Sequence, residues 1–125
     1  MDPSEFKRVR KKLDKTQKQT AQLLGVSLKA VHSYEQGWRT VPPAVERHLY
    51  FLVSRQSRPD ERRPCWEMKD CPASHKAQCP AAEFNSGELC WLVNGSHCNG
   101  ADQGSWESKM AICRNCPVFA SHIAL

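Results

Sequence analysis

No stretch of the sequence stays apolar for anything near the roughly 18 residues that a membrane helix needs. The N-terminus, MDPSEFKRVRKKLDK, is charged and lacks the apolar segment of a secretory signal, so the expected location is the cytoplasm. No segment repeats at the roughly 20–50-residue periods of solenoids. Neither a phosphate-binding glycine loop, nor a pair of carboxylates at useful spacing, nor a Ser/His/Asp set is present. An enzyme is therefore not expected, and no small-molecule substrate is evident. Cysteine is missing from the first 64 residues, whereas all seven cysteines lie between Cys65 and Cys116. A second two-residue Cys-Cys spacer is also missing, which excludes a simple zinc ribbon.

What is present divides the chain in two. Residues 1–63 carry 14 Lys/Arg against 7 Asp/Glu, and residues 64–125 carry 4 against 6, so +7 and −2 make up the net charge of +5. A basic half beside a mildly acidic one fits a division in which only the first meets a polyanion; a merely solvated basic surface is the alternative. The run Ser54-Arg-Gln-Ser-Arg-Pro-Asp-Glu-Arg-Arg-Pro64 is polar and proline-punctuated, as linkers are. The expected organisation is a first domain over 1–54, a linker over 55–64 and a cysteine-rich domain over 65–125. The first, at about 55 residues, is near the lower limit for an unassisted core. The second has few aliphatic residues and is expected to need a metal or cross-link to fold.

The first half reads as helices. Phe6, Val9 and Leu13 recur at helical spacing. Thr16 is placed to cap a helix over Gln17–Leu24, with Gly25 as its stop. Ser27 caps the next, Leu28–Gln36, and Gly37 ends it. Pro42-Pro43 then opens a fourth helix whose apolar face includes Val45, Leu49 and Leu52. Ala21 is small where two helices must cross, Gly25 supplies a left-handed turn, and Val26 and Val31 fill the wedge, with Leu24 and Tyr34 extending that core. This geometry turns the helix over Leu28–Gln36 outward, as a probe for the major groove of duplex DNA.

The pattern T-Q-x-x-x-A-x-x-L-G-V-S-x-x-x-V-x-x-x-E-x-G, carried by Thr16, Gln17, Ala21, Leu24, Gly25, Val26, Ser27, Val31, Glu35 and Gly37, resembles the phage-repressor (Cro/C1, or Xre-like) helix-turn-helix family over roughly Phe6 to Leu52. The resemblance implies a four- or five-helix domain that binds specific duplex DNA. Gln17 matches a phosphate-contacting position. Ser27, Leu28, Lys29, His32 and Ser33 fall on the recognition helix. There Lys29 is expected to reach guanine or a phosphate, Leu28 a thymine methyl, and His32 and Ser33 base edges. Trp38 and Arg39 follow the helix, where family members contact phosphates. Lys7, Arg8, Lys11 and Lys12 are expected to add general electrostatic attraction. Arg10 and Glu35 match an ion pair joining the first and third helices. Thr20 departs from the pattern, which favours an apolar residue there.

The cysteines are Cys65, Cys71, Cys79, Cys90, Cys98, Cys113 and Cys116, with gaps of 5, 7, 10, 7, 14 and 2 residues between them. An odd number, in a chain expected to be cytoplasmic, points to metal or redox chemistry rather than a disulfide framework. Cys113-Arg-Asn-Cys116 alone has the knuckle spacing that lets two thiolates meet one metal. Seven thiols exceed one tetrahedral site and fall one short of two, and His75, His97 or His122 are the candidates to complete a second. An iron–sulfur cluster also takes four thiolates at irregular spacing.

The segments CWEMKDC, CPA, GELCW, GSHCNG and CRNCPVF resemble the two-CW cysteine-rich domain of bacterial regulators and signalling proteins, over about residues 65–119. That resemblance implies a metal or iron–sulfur centre with a sensory or regulatory role, its tryptophans filling the core around it. It leaves iron–sulfur or zinc open as the cofactor. The whole chain is thus expected to be mainly α: a repressor-like helix-turn-helix domain plus a small, loop-rich, metal-stabilised one. Its expected function is that of a transcriptional regulator acting as a homodimer on double-stranded DNA. The alternative is a DNA-binding protein whose cysteine half is a purely structural zinc or dimerisation module.

Overall fold

A computed structural model of the protein describes residues 1–56, 72–76, 79–84, 89–98 and 101–123. The chain divides into two compact units, residues 1–57 and residues 58–124. No helix among the described residues is long and apolar enough to cross a membrane.

Four helices make up the described part of the first unit: α1 (Pro3–Lys12), α2 (Gln17–Leu24), α3 (Leu28–Gln36) and α4 (Pro43–Gln56). Local chemistry sets their ends. The Asp2 carboxylate accepts the Glu5 N–H at 2.8 Å and caps α1. That bond holds the carboxyl below the usual aspartate value, so the cap acts at neutral pH and is lost as the pH falls through the depressed value. A capping box opens α2: Thr16 Oγ1 accepts the Gln19 N–H at 3.1 Å, and Gln19 Oε1 accepts the Thr16 N–H at 3.0 Å. Gly25 closes α2 in the left-handed region at φ 68°, and the Val26 N–H reaches back to the Ala21 carbonyl at 3.0 Å. Ser27 caps α3 by accepting the Ala30 N–H at 3.0 Å. Gly37, at φ 78°, closes it, and a Cβ there would stand 3.3 Å from the Pro3 ring.

α3 packs on α1 and α2, and α4 packs on the same two helices. Phe6, Val9, Val31, Leu49, Tyr50 and Val53 are enclosed at the centre, and the Phe6 and Tyr34 rings meet at 5.5 Å between centroids. Ala21 is buried at the helix crossing, whereas Leu24 and Val26 are half-buried. The buried stripe of α4 is Val45, Glu46, Leu49, Tyr50, Val53 and Ser54. Leu52, expected on that face, lies off the stripe and is half-buried. Within the stripe the Tyr50 hydroxyl donates to the buried Glu5 carboxylate. Arg55 and Gln56, expected to begin the linker, instead finish the last turn of α4. The remainder of that expected linker, 57–64, lies outside the described residues.

The described part of the second unit is built from short pieces. These are α5 (Ala73–Lys76), α6 (Pro80–Glu83), α7 (Cys90–Val93), strands β1 (His97–Cys98) and β2 (Ala101–Asp102), α8 (Trp106–Cys113) and α9 (Pro117–His122). β1 and β2 pair antiparallel, with Cys98 opposite Ala101. α6 packs on α7. Ser105 caps α8 by accepting the Ser108 N–H at 3.1 Å. Aromatic rings supply much of the core: Trp91 is fully enclosed and meets Phe119 edge-on at 6.1 Å, and Trp106 is also buried.

One buried group in the first unit is poorly served. The Thr20 hydroxyl, on the inner face of α2, is enclosed and has no hydrogen-bond partner among the described residues. A hydroxyl taken from water without a partner destabilises the fold. Thr20→Val keeps the shape and removes that penalty, so the first unit should gain about 1 kcal/mol, close to a fivefold change in its opening equilibrium. Native-state hydrogen exchange of α1–α4 amides in the full chain measures this. Unchanged or weaker protection would show that the hydroxyl is satisfied.

Candidate nucleic-acid interface

The carboxylate of Glu35, on the last turn of α3, ties three segments together. It accepts the Arg10 Nε–H of α1 at 2.7 Å and the side-chain amide of Gln17 at the start of α2. Arg10 also donates from Nη1 to the Lys15 carbonyl at 2.8 Å, fastening the connection between α1 and α2. The Glu35 side chain is 3% exposed and that of Arg10 14%, so the pair is largely desolvated. The expected bridge between the first and third helices is therefore formed. Gln17, expected to meet a phosphate, is half-buried with its amide nitrogen committed to Glu35.

With α3 fixed from behind, its outward face carries Leu28, Lys29 and His32, all exposed, with Leu28 as much as 49% exposed, and Gln36 is exposed in the last turn. Ser27 is exposed at the tip of the helix, its oxygen held by the Ala30 N–H. Ser33 does not belong to this face. It is buried and donates its hydroxyl to the Lys29 carbonyl at 2.8 Å, because one step of about 100° from His32 carries it round toward the core. Trp38 is 70% exposed, and its ring meets the His32 imidazole edge-on at 5.4 Å between centroids. Arg39 is exposed beside it, as are Lys7, Arg8, Lys11 and Lys12 on α1 and Lys15 and Lys18 around the start of α2.

Residues 6–46 match the family model described as Helix-turn-helix. This part of the chain is a helix-turn-helix domain, running from α1 into the first turn of α4. No curated protein and no solved structure matches the chain. In the helix-turn-helix domain, sequence reasoning missed the Gln17–Glu35 bond and the His32–Trp38 contact. The first was signalled by the placement of Gln17 and Glu35 on helices that cross at Ala21. The second joins residues on either side of the Gly37 stop, where helical spacing no longer applies.

The second unit holds five described cysteines, all free thiols: Cys113 is buried, and Cys79, Cys90, Cys98 and Cys116 are half-buried. Cys65 and Cys71 lie outside the described residues, as do the side chains of His75, His97 and His122. Among the described residues, no three His, Cys, Asp or Glu side chains are placed to hold a metal ion. Burial pushes the Cys113 thiol above the ordinary cysteine value, and the neighbouring Lys109 opposes that shift. Burial pushes Lys109 below the ordinary lysine value, while Cys113, Cys90 and Cys98 draw it back up. Cys113, Cys90 and Cys98 thus act on Lys109, and Cys98 and Cys116 add to the upward push on Cys113. The Asn94 amide donates to the fifth, Cys79, at 3.5 Å.

Removing the Glu35 carboxylate leaves Arg10 and Gln17 without their shared acceptor. Glu35→Ala is expected to cost the helix-turn-helix domain about 3 kcal/mol, the lower end for breaking a buried pair, since Arg10 keeps some access to water. Hydrogen exchange across α1–α3 in the full chain should report the loss. Protection equal to the parent would show that the carboxylate holds nothing.

Proposed function

We propose that the protein is a transcriptional regulator that binds specific duplex DNA through α3 and carries a metal or iron–sulfur centre on the cysteines of its second unit. The observation that carries the DNA reading is the exposed face of Leu28, Lys29 and His32. It is backed by the enclosed Glu35 network and flanked by Trp38 and Arg39. A helix presented this way enters the major groove. Lys29 donates to guanine or a phosphate, Leu28 packs on a thymine methyl, and His32, steadied by Trp38, meets a base edge. Gln17 and Arg39 face the backbone, Gln17 while its amide stays joined to Glu35. One α3 reads too few base pairs for a specific site, so the reading includes a homodimer on a palindromic operator.

The centre draws its ligands from Cys65, Cys71, Cys79, Cys90, Cys98, Cys113 and Cys116, with the Cys113/Cys116 knuckle as the first choice. A four-thiolate site, zinc or iron–sulfur, would supply much of the folding free energy of a unit with so few aliphatic residues. A second reading makes the centre a zinc staple with no sensing role; the burial of Cys113, in a unit whose Trp91, Trp106 and Met110 are also buried, favours it. Colour and metal content separate zinc from iron–sulfur in protein purified without oxygen. Operator affinity at fixed salt then separates sensing from staple. Metal-loaded, oxidised and chelator-stripped protein and Cys113→Ser should differ if the unit senses, and equal affinities in all four would leave the staple.

DNA contacts have a distinct signature. Lys29→Ala with His32→Ala should weaken specific binding by about 1–3 kcal/mol for each lost base contact. Lys11→Ala with Lys12→Ala should weaken all duplexes alike and reduce the salt slope by about 1 for each lost phosphate contact. Full operator affinity in the Lys29/His32 double variant would place the reading surface elsewhere.

A further inference from the structure

α8 ends at Cys113, α9 starts after Cys116, and the chain between them is a tight turn. The Cys116 N–H donates to the Cys113 carbonyl at 2.9 Å, a turn bond that brings the two Cα atoms within about 7 Å. Disulfides bridge Cα atoms about 4.4–6.8 Å apart, so the backbone already holds these residues near the span that a disulfide needs. The turn is held from both sides. The Arg114 N–H donates to the Met110 carbonyl at 2.9 Å and the Asn115 N–H to the Ile112 carbonyl at 3.1 Å, tying its centre to the end of α8. Beyond it Pro117 opens α9 and keeps Cys116 extended, at φ −93° and ψ 132°. Both cysteines are free thiols, but they differ in access. Cys113 is buried, whereas Cys116 is half-buried and its side chain makes no cap bond to α9.

We propose that Cys113 and Cys116 are a redox-active dithiol that exchanges with low-molecular-weight disulfides, Cys116 attacking and Cys113 resolving. The Cys116 thiolate attacks one sulfur of the small disulfide and releases its other half as a thiolate. The Cys113 thiolate then attacks the Cys116 sulfur and displaces the half still attached. Two electrons pass from the protein pair to the small disulfide, and the two protein thiol protons end on the two small thiols. The loop closed is too short to constrain the unfolded chain much, so the bond is a reversible one rather than a structural staple. This goes beyond the metal-centre reading and needs no metal; the oxidised pair has no thiolates to give one.

The full chain, as purified and after treatment with a chelator, is equilibrated with reduced and oxidised glutathione, quenched in acid and digested with trypsin. Cleavage after Lys109 and Arg114 leaves Cys113 in peptide 110–114 and Cys116 in peptide 115–125, with no other cysteine in either. The disulfide should appear as these two peptides joined. Its equilibrium with glutathione should favour oxidation about tenfold more in the folded chain than in the same chain in guanidinium, a potential about 30 mV lower, because the turn is already formed. Cys113→Ser should trap glutathione on peptide 115–125, and Cys116→Ser should take up far less on peptide 110–114. Joined peptides in neither sample would overturn the proposal. So would Cys113 joined instead to peptide 77–109, which holds Cys79, Cys90 and Cys98, or an equilibrium no better than that of the denatured chain. Equal glutathione uptake by the two Ser variants would overturn the order of attack. Metal content of the purified chain reports on the metal-centre reading separately, so either can fail alone.

Discussion

Glu35 ends α3 with its carboxylate almost wholly out of water, and that desolvation has to be answered by donors from elsewhere in the chain. Arg10 comes from α1 and Gln17 from the first turn of α2, so the answer fixes three helices against one another. The orientation of α3 follows from it. With the inner face held by Glu35, Val31 and Tyr34, the outer face is left to Leu28, Lys29, His32 and, in the last turn, Gln36. A groove-reading helix works through side chains placed to within a fraction of an ångström, and a rigid backing supplies that placement at lower entropic cost than a mobile one. Trp38 extends the same logic beyond the helix, since its ring gives His32 a neighbour where α3 has already ended.

The second unit solves a different problem. Its described helices have four to eight residues, too short to be stable alone, and its core relies on Trp91, Trp106, Met110 and Phe119 rather than on a stripe of aliphatic residues. Into that core it places a lysine and a cysteine, Lys109 and Cys113. Buried charge destabilises a small domain unless it is compensated. Here the Trp91 carbonyl and the Trp106 ring face the Lys109 ammonium and offset part of that cost.

Much of the first unit was legible in the sequence because its helix ends are marked by chemistry. Thr16 with Gln19, then Gly25, Ser27 and Gly37, fix α2 and α3 to the residue, since caps and left-handed glycines leave few alternatives. The phase of α4 was harder. Leu52 looks like a core residue by hydrophobicity, yet the stripe from Val45 through Leu49 to Val53 leaves it to one side, and buried Glu46 and Ser54 carry no apolar signal. Ser33 was misplaced for a related reason: small and polar, it fits either face, and only the Lys29 carbonyl it bonds shows which. Composition put the linker two residues early, because Arg55 and Gln56 are polar yet helical. In the second unit short pieces carry no period to read, and Lys109 looks like any solvated lysine until its surroundings are seen.

The proposed function turns on α3 entering the major groove of a specific duplex. The most direct measurement selects duplexes from a randomised pool with the full chain and then maps methylation interference on the winning sequence. Methylation at guanine N7, which lies in the major groove, should block binding across the half-sites, while methylation at adenine N3, in the minor groove, should leave binding intact. A pool that yields no preferred sequence, or interference confined to adenine N3, would contradict the account.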